Sequence, residues 1–351
     1  MRKREKRKES FIDTVYRKYE IQKESLFGES FSSGIRKGLY SCSNIIIPSL
    51  FPFMVASSLA ACGDLPKPAK KLISFPVKKL FNLPPECFTA IFLGLIGGYP
   101  VGAKTASALY SSGKISSSEA EKLILFCVNS GAGFAINALG SGILSSRQSG
   151  KLIFISGCIA SLITGVIASL LSSKEAFILP RHEESLSFSA SIVDSVVSGA
   201  TSILYVCGFV CVFSGISEMI LSLNINENIK SAIICLTEVT CGCSLYAKSI
   251  SLPAVSAITS FGGLCVHLQV FAVCKDFQPS VSTFYLFRLM HSVFSALICK
   301  ILLFFFPVAN EVFLSFSQNA APWSFSAPSA VSLLFLSALL ILDLDTNKKI
   351  C

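Results

Sequence analysis

The sequence predicts an all-α polytopic membrane protein, built from two related halves with broken or re-entrant helices and about seven to nine membrane segments. The first observation is the composition, which is 52% hydrophobic and only 15% charged, with a mean hydropathy of +0.65. The second is a series of uncharged stretches of about 20 residues, the length that crosses a bilayer. The third is that glycines and prolines interrupt several stretches at corresponding places in the two halves.

The uncharged stretches set the domain organisation. Those long enough to span are residues 38–63, 123–146, 152–173, 195–217, 249–274 and 312–342. Residues 87–103 and 277–306 are further candidates that are short or interrupted. We divide the chain into a basic cytoplasmic tail (1–37), a first half (38–173), a polar linker (174–193), a second half (194–310), and a C-terminal membrane helix with its tail (311–351).

The net charge of +9 is explained by the orientation of the chain in a membrane rather than by a nucleic-acid partner. Eleven of the 30 Lys and Arg residues lie in residues 1–37. By the positive-inside rule this tail is cytoplasmic, where it can contact anionic lipid. The segment behind the basic run is polar, so no cleaved signal peptide is expected.

The sequence shows no motif for a catalytic site or a metal site. The 14 cysteines are scattered mainly through apolar segments, which is typical of free thiols that pack as small hydrophobes. Cys241 and Cys243 lack a second ligand pair at metal-site spacing, so no metal is expected. A Walker loop, an HExxH motif and a GxSxG motif are absent from the sequence. We therefore expect neither an enzyme nor a cofactor.

The first apolar segment contains two prolines, Pro48 and Pro52, that predict a kink or a reversal of the helix. The lysine- and proline-rich residues 64–85 that follow predict an interfacial loop, with one short surface helix at 73–81. If residues 45–61 span fully, two basic regions face opposite sides of the membrane, against the charge rule. Two alternatives remain: the segment is re-entrant, or one basic region is tolerated outside.

The most informative stretch is residues 92–105, FLGLIGGYPVGAKT. Gly97 and Gly98 weaken a helix here, and Pro100 removes a backbone donor while disfavouring the helical conformation of Tyr99. Within a membrane, irregular backbone survives only where it is buried in protein or lines a wet cavity. The stretch is therefore a candidate binding site at which a membrane helix stops.

Three later segments are interrupted in a comparable way. Serines at 116–118 predict a cap for a helix that then breaks at NSGAGFAINALGSG, from residue 129 onward. Residues 229–250 are interrupted at EVTCGC and residues 252–274 at SFGG. Residues 152–171, 195–217 and 284–306 predict plain spans. Each half thus offers a span, two broken segments and a span, a pattern that predicts a transporter site near the midplane.

Five motifs carry a resemblance to a known family. They are GLIGGYPVGAK, the Asn129–Ser130 pair, LTEVTCG, SFGGLCVHLQV and FRLMHSVFSA, in this order. The chain resembles the sporulation integral membrane protein YlbJ family, also called SpoVV, over roughly residues 32–306. Each half also resembles the nucleoside recognition (Gate) domain of concentrative nucleoside transporters. The resemblance implies a carrier in the outer forespore membrane that moves dipicolinic acid from the mother cell towards the forespore.

The chain departs from the family in two places. Family members usually have an additional N-terminal membrane helix, whose place is taken here by the basic tail. Relatives commonly continue the Asn-Ser motif with Asn-Pro, whereas this chain continues with Gly131, Ala132 and Gly133. Because of the first departure, the family does not decide whether residues 45–61 span the membrane or re-enter it. After the second departure the helix break is still expected, because the glycines take the place of the proline.

Charged residues near the breaks are candidates for substrate contact. Lys104 would pair with a substrate carboxylate, or else reach the membrane interface. Arg288 would bind a carboxylate through two parallel hydrogen bonds, or else mark a membrane boundary. His291, on the same helix face, would carry a proton, or else be a buried ring with a satisfied hydrogen bond. Glu238 would be a coupling acid or part of a structural ion pair, and beside an anionic substrate it must be neutral or paired.

Uncharged residues complete the predicted site. Tyr99 offers an aromatic face, and a half-helix starting near Leu264 would aim its positive end at an anion. The glycines of the first break have an alternative role, since Gly94, Gly98 and Gly102 are spaced to let helices approach closely. The predicted substrate-binding residues are Gly97, Gly98, Tyr99, Pro100, Gly102, Lys104, Asn129, Ser130, Glu238, Thr240, His267, Gln269, Arg288 and His291.

The favoured function is transport of a small aromatic dicarboxylate, dipicolinate. A carrier for nucleosides or another metabolite would keep the fold, but it should tolerate loss of Lys104 and Arg288 better than loss of Asn129 or Glu238. A non-transporting assembly protein of the forespore membrane would use the glycines for packing and the basic tail as a contact. The expected partners are the small-molecule substrate and the lipid bilayer, with a homo-oligomer left open and no nucleic acid.

Overall fold

The computed structural model describes residues 27–62, 67–172, 188–274, 276–277 and 279–308. Within these ranges the chain forms helices joined by short turns, without strands. Most of the predicted basic tail, most of the polar linker, and the predicted C-terminal membrane helix with its tail lie outside the described residues.

The helices follow one another with few loop residues. In chain order they are α1 (Phe27–Ala61), α2 (Lys67–Phe81), α3 (Phe88–Gly97), α4 (Tyr99–Ser111), α5 (Ser117–Phe126), a π-helix (Gly133–Ile143), α6 (Arg147–Leu171), α7 (Phe188–Ser222), α8 (Glu227–Thr237), α9 (Val239–Tyr246), α10 (Leu252–Phe261), α11 (Gly263–Val273) and α12 (Val281–Phe305).

The described helices are those of a multi-pass membrane protein. Among the described residues, five helices are long and apolar enough to cross a membrane. A sixth span results if the bent pair Lys70–Phe81 and Pro85–Gly97 is counted as one. The predicted all-α polytopic fold is therefore confirmed. The prediction of more segments also counted broken segments and a C-terminal helix that lies outside the described residues.

Helix α1 runs without reversal, so residues 45–61 do not form a re-entrant hairpin. A π-helical segment, Cys42–Ile46, precedes Pro48. A proline ring normally clashes with the carbonyl one turn earlier, and a widened π turn relieves such a clash without ending the helix. The Ser49 hydroxyl also donates to the carbonyl of Ile46 (3.3 Å). The bulge therefore accommodates Pro48, and the helix continues through Pro52 without a break.

Helix α2 is longer than the predicted surface helix and lies across the end of the bundle. The pair Lys70–Phe81 and Pro85–Gly97 is bent by 91°. Lys70 pairs with Glu86 (2.5 Å), while Leu72 and Phe75 are exposed. An amphipathic helix of this kind lies in the membrane interface. Because α2 begins just after α1 ends, its lysines lie at one end of α1, whereas the described basic residues Arg36 and Lys37 lie in the first third of that helix. This separation supports the alternative with one basic region outside.

Helices α1 and α7 pack antiparallel through small residues. A Cβ at Gly34 would overlap the carbonyl of Ser214, and one at Gly38 would lie 2.9 Å from the Cα of Cys211. Towards the other end of α1, a Cβ at Gly199 would lie 2.8 Å from the Val55 side chain. Backbones approach this closely only where side chains are absent. The two long helices therefore form one tightly packed pair.

The buried core lies between the broken helices and the long helices beside them. Phe126, at the end of α5, stacks on Phe81 with ring centroids 5.0 Å apart. The hydroxyls of Ser256 and Ser295 approach to 2.7 Å and join α10 to α12. The described cysteines carry free thiols, as predicted, and many are buried. The core therefore combines apolar packing with a few short polar links.

The order of elements repeats along the described chain. Helix α1 is followed by the broken pairs α3/α4 and α5/π-helix and then by α6. Helix α7 is followed by the broken pairs α8/α9 and α10/α11 and then by α12. The breaks lie where the sequence predicted them. The division into related halves at residues 38–173 and 194–310 stays a prediction.

Candidate functional site

The first break lies at Gly98, between α3 and α4. Gly98 has φ +114°, a conformation that residues with a Cβ rarely adopt. Pro100 lies in the first turn of α4, where the missing N–H costs nothing because that donor has no intrahelical partner. The Gly-Gly-Tyr-Pro sequence thus ends one helix and starts the next within a single residue.

The second break follows α5. Ser116 caps α5 in a capping box, in which Glu119 N–H donates to the Ser116 hydroxyl (3.3 Å) and Ser116 N–H donates to the Glu119 carboxylate (2.8 Å). Helix α5 ends at Phe126, and the chain becomes helical again near Gly133. Gly131 lies against the first break, since a Cβ there would be 2.7 Å from the carbonyl of Gly97.

The remaining breaks lie in the second half of the chain. Glu238 separates α8 from α9 and caps α9, because its carboxylate accepts the N–H groups of Thr240 (3.0 Å) and Cys241. Gly262 and Gly263, with φ +91° and +76°, separate α10 from α11. The acid in EVTCGC therefore has a local structural role in addition to any contact with substrate.

All four broken segments in the described part of the chain contribute to one cavity of about 80 Å³, the fourth through Val266 and Gln269 of α11 rather than through Gly262 and Gly263. It lies level with the middle of α1, at Ile45, and the middle of α7, at Val206. Its lining residues are Ile45, Ile46, Ser49, Leu50, Phe53, Gly97, Gly98, Tyr99, Pro100, Gly131, Gly133, Phe134, Val206, Val210, Glu238, Val239, Thr240, Val266 and Gln269. A mostly apolar cavity with a few polar groups at broken helices suits a small ligand.

The structure brings some predicted site residues into this cavity and leaves the others outside. Those that line it are Gly97, Gly98, Tyr99, Pro100, Glu238, Thr240 and Gln269. Those outside the lining are Gly102, Lys104, Asn129, Ser130, His267, Arg288 and His291. Both basic residues proposed as carboxylate anchors are in the second group.

Several lining residues were missed by the sequence analysis. Val206 and Val210 are one turn apart on α7, but nothing in a uniformly apolar span marks one face as special. The π segment that turns Ile45 and Ile46 towards the cavity also has no recognised sequence signal. Gly133 and Phe134 lay within a predicted break, and the glycine-rich composition was the signal that could have found them.

Tyr99 connects the first break to the fourth. Its hydroxyl donates to the carbonyl of Thr259 in α10, and a Cβ at Gly262 would lie 3.4 Å from its ring. The ring is buried and also lines the cavity. Tyr99 can therefore present an aromatic face to a ligand while its hydroxyl is engaged elsewhere.

Arg288 does not occupy the position predicted for a substrate clamp. The side chain is fully buried, and its guanidinium donates to the carbonyls of Val128 and Leu125 (2.8 Å to Leu125). It also lies 5.7 Å from the ring centroid of Phe284. These carbonyls belong to the C-terminal end of α5 and the residues after it, where a cation is favourable. Arg288 therefore holds the second break in place.

We expect Arg288→Lys to lower the free energy of unfolding by about 1 to 3 kcal/mol, because lysine cannot reproduce the planar fork that bonds two carbonyls. Heat denaturation of the detergent-solubilised protein measures this, with the exposed Arg147→Lys as the control for arginine loss. Any stabilisation by an added ligand, with dipicolinate as the probe, should be the same in the variant and in the parent protein. An unchanged stability together with a lost ligand effect would instead indicate a substrate clamp.

The two histidines are likewise structural in this arrangement. His267 Nε2 lies 2.8 Å from the carbonyl of Phe261, and its ring contacts the rings of Phe261 and Phe284. His291 Nε2 lies 3.0 Å from the carbonyl of Gly157. Both rings are fully buried, and neither Nδ1 has a partner among the described residues. For His291, the buried ring is the alternative that the structure supports.

Gly102 serves close packing, the alternative weighed for the glycines. A Cβ at Gly94 or Gly102 would overlap the carbonyl of Cys127. The two glycines let α3 and α4 rest on the end of α5. Gly98 differs from them, because its positive φ forms the break itself.

Asn129 and Ser130 lie behind the cavity, in the loop of the second break. Both are buried, and the Asn129 amide donates to the Cys158 sulfur (3.5 Å). The Asn129 Oδ1 has no partner among the described residues. These residues shape the loop that brings Gly131 to the cavity, rather than lining the cavity themselves.

The electrostatics of the cavity are set mainly by helix ends. Helix α4 and the π-helix both begin at the cavity wall, where the helix dipole gives partial positive charge. In these first turns Pro100 has no N–H, Val101 N–H donates to the carbonyl of Gly98 (3.1 Å), and Ala135 N–H donates to the carbonyl of Gly131 (2.9 Å). The start of α9 is already capped by Glu238. The cavity therefore has one fixed carboxylate and two helix N-termini, without a lysine or arginine among its lining residues.

Comparison with known proteins supports the predicted family. Neither a family model nor a solved structure matches the chain. Over 310 residues the chain is 23% identical to the sporulation integral membrane protein YlbJ of Bacillus subtilis (strain 168), and the match covers 76% of each chain. The chain is a relative of YlbJ. The resemblance indicated by the five motifs is thereby confirmed, and the similarity to YlbJ agrees with the multi-pass membrane fold.

Proposed function

We propose that this protein is a carrier that moves dipicolinic acid across the outer forespore membrane during spore formation. One observation carries the proposal: the broken helices meet at a cavity level with the middle of the two long helices. Broken helices around a midplane cavity are typical of secondary transporters. The similarity to a sporulation membrane protein supports the biological setting.

The cavity suggests how a dicarboxylate would be held. The starts of α4 and of the π-helix would bind the carboxylates, since backbone N–H groups at helix N-termini favour anions. Tyr99 and Phe134 would contact the flat ring. In this arrangement the helix ends replace Lys104 and Arg288 as the anchors. Glu238, already bonded to the start of α9, would sit at the edge of the site.

Transport also requires the cavity to open alternately to each side. Helices α1 and α7 form one wall of the cavity and are tightly packed on each other. The broken helices form the other walls. We therefore propose that the α1–α7 pair rocks against the broken helices. The protein would act without covalent chemistry, cofactor or nucleic acid, and whether it works as a homo-oligomer stays open.

A carrier for a nucleoside or another uncharged metabolite is the second candidate. It is favoured by the absence of basic side chains from the cavity lining, and by Glu238, Thr240 and Gln269, which can hydrogen-bond a neutral ligand. A membrane assembly protein is the third candidate, favoured by the close packing of α1 on α7.

Deletion of the gene in a spore-forming host is expected to leave spores with little dipicolinate while its synthesis in the mother cell continues. Vesicles containing the purified protein should take up dipicolinate in preference to uridine. Uptake of uridine alone would favour the second candidate. Normal dipicolinate in the mutant spores, together with inactive vesicles, would exclude the carrier and favour an assembly role.

A further inference from the structure

A line of polar side chains leads away from the cavity along α4. Pro100 lines the cavity, and the same helix face continues with Lys104, Ser107 and Ser111 at steps of three or four residues. Lys104 is half-buried, although a lysine within a membrane costs about 2.5 to 3.5 kcal/mol on insertion scales. It forms no ion pair with a carboxylate in the described part of the chain.

A matching line runs along α7. Val206 lines the cavity, and the same face continues towards the start of the helix with Ser202, Ser198, Ser195 and Ser191. Serines on the lipid-facing side of a span would have no polar group from another helix beside them. These serine side chains are instead buried or half-buried inside the protein. The Ser195 hydroxyl is 1% exposed and has no hydrogen-bond partner among the described residues.

The two lines face each other. The Lys104 ammonium donates to the Ser198 hydroxyl, which lies 3.3 Å from the hydroxyl of Ser58 in α1. Farther from the cavity, Ser111 donates to the carboxylate of Asp276, in the turn between α11 and α12 (2.6 Å). The polar groups therefore extend from the cavity to the end of the bundle where α1 ends and α2 begins.

We propose that these residues form a permeation pathway for the anionic substrate, with Lys104 as its charge-selecting residue. In the conformation described here the pathway is closed by the bond between Lys104 and Ser198. When the α1–α7 pair moves, α7 carries Ser198 away from α4, and the ammonium is released to attract the carboxylates of the substrate. Lys104 thus controls passage between the cavity and one membrane surface. This inference rests on the proposed transport of dipicolinate.

The first test compares charged and uncharged substrates. Lys104→Gln should lower dipicolinate uptake into vesicles at least tenfold, because it removes the positive charge that attracts the substrate carboxylates and leaves the Asp276 carboxylate as the remaining charge of the line. Uptake of the uncharged diamide of the same pyridine ring should be unchanged, and Lys104→Arg should retain most dipicolinate uptake. The exposed Lys151→Gln is the matched control. Equal losses for both substrates, or no loss for either, would overturn the charge-selecting role.

The second test measures water access and needs no transport. Ser198→Cys should gain one mass tag, relative to the parent protein, when vesicles are treated with a charged, membrane-impermeant thiol reagent. Val197→Cys, the neighbouring position that is 60% exposed on the outer face of α7, should gain none because lipid covers it. Equal tagging of the two variants would exclude the pathway. Inactive wild-type vesicles with tagging confined to Ser198→Cys would reject dipicolinate transport and retain the pathway.

Discussion

Gly102→Ala is expected to lower the free energy of unfolding by about 3 kcal/mol or more, at the upper end of what overpacking costs. The added methyl group would overlap the carbonyl of Cys127, which is backbone and cannot rotate away. Helix α4 would have to move from the end of α5, and the second break would move with it. Heat denaturation of the protein in detergent, together with its amount in membranes, measures the effect.

Gly208→Ala is the matched control for this substitution. Gly208 also lies within a helix, but a Cβ there meets no atom within 4 Å. Alanine is favoured over glycine in helix interiors by about 0.5 to 1 kcal/mol, so this variant should be as stable as the parent protein or slightly more stable. If the two variants were equally stable, the close contact between Gly102 and Cys127 could not be a determinant of the fold.

If the protein transports dipicolinate as proposed, Glu238→Ala is expected to abolish most of that uptake, because it removes both the cap of α9 and a lining group of the cavity. Each buried N–H group left without an acceptor costs about 1 to 3 kcal/mol. The start of α9, with Thr240, would then lose its fixed position at the cavity. Uptake per folded molecule, measured in vesicles beside the denaturation temperature, separates the functional loss from the loss of stability.

Glu238→Gln distinguishes the two proposed substrates. Glutamine keeps one acceptor oxygen for the cap but removes the negative charge, whose repulsion of a carboxylate about 6 Å away amounts to about 1 to 3 kcal/mol. Dipicolinate should therefore bind about tenfold more tightly, whereas a nucleoside that bonds the carboxylate should bind less tightly. Calorimetric titration measures both affinities, and the exposed Glu227→Gln controls for loss of an acid. Weaker binding of dipicolinate to Glu238→Gln would contradict a dianionic substrate in this cavity.

The helix breaks were the part of the site best predicted from sequence. Gly98, Gly262 and Gly263 permit a positive φ, and Pro100 fixes φ and removes a backbone donor, so their effects do not depend on distant residues. The capping box at Ser116 is equally local. Pro48 and Pro52, by contrast, left two topologies open, a re-entrant segment and a full span. The structure shows the continuous helix, with a π segment before Pro48 and regular helix through Pro52.

The roles of the charged residues could not be predicted in this way. Lys104 and Arg288 both looked like carboxylate anchors, since each is a cation in an apolar segment. In the folded chain, Arg288 donates to carbonyls that lie 160 or more residues away in the sequence. Lys104 donates to the hydroxyl of Ser198, on another helix. Periodicity shows which residues share a helix face, but it does not identify the element that faces them.

By itself, the sequence determined that the protein is an all-helical membrane protein, where its helices break, and which family it resembles. These properties depend on composition, on local backbone preferences and on motif order. Only the tertiary structure decided that the four broken segments share one cavity, that Glu238 lines it, and that Arg288 does not. The physical reason is that a site within a membrane is formed by contacts between helices distant in sequence, whereas propensities act over a single turn.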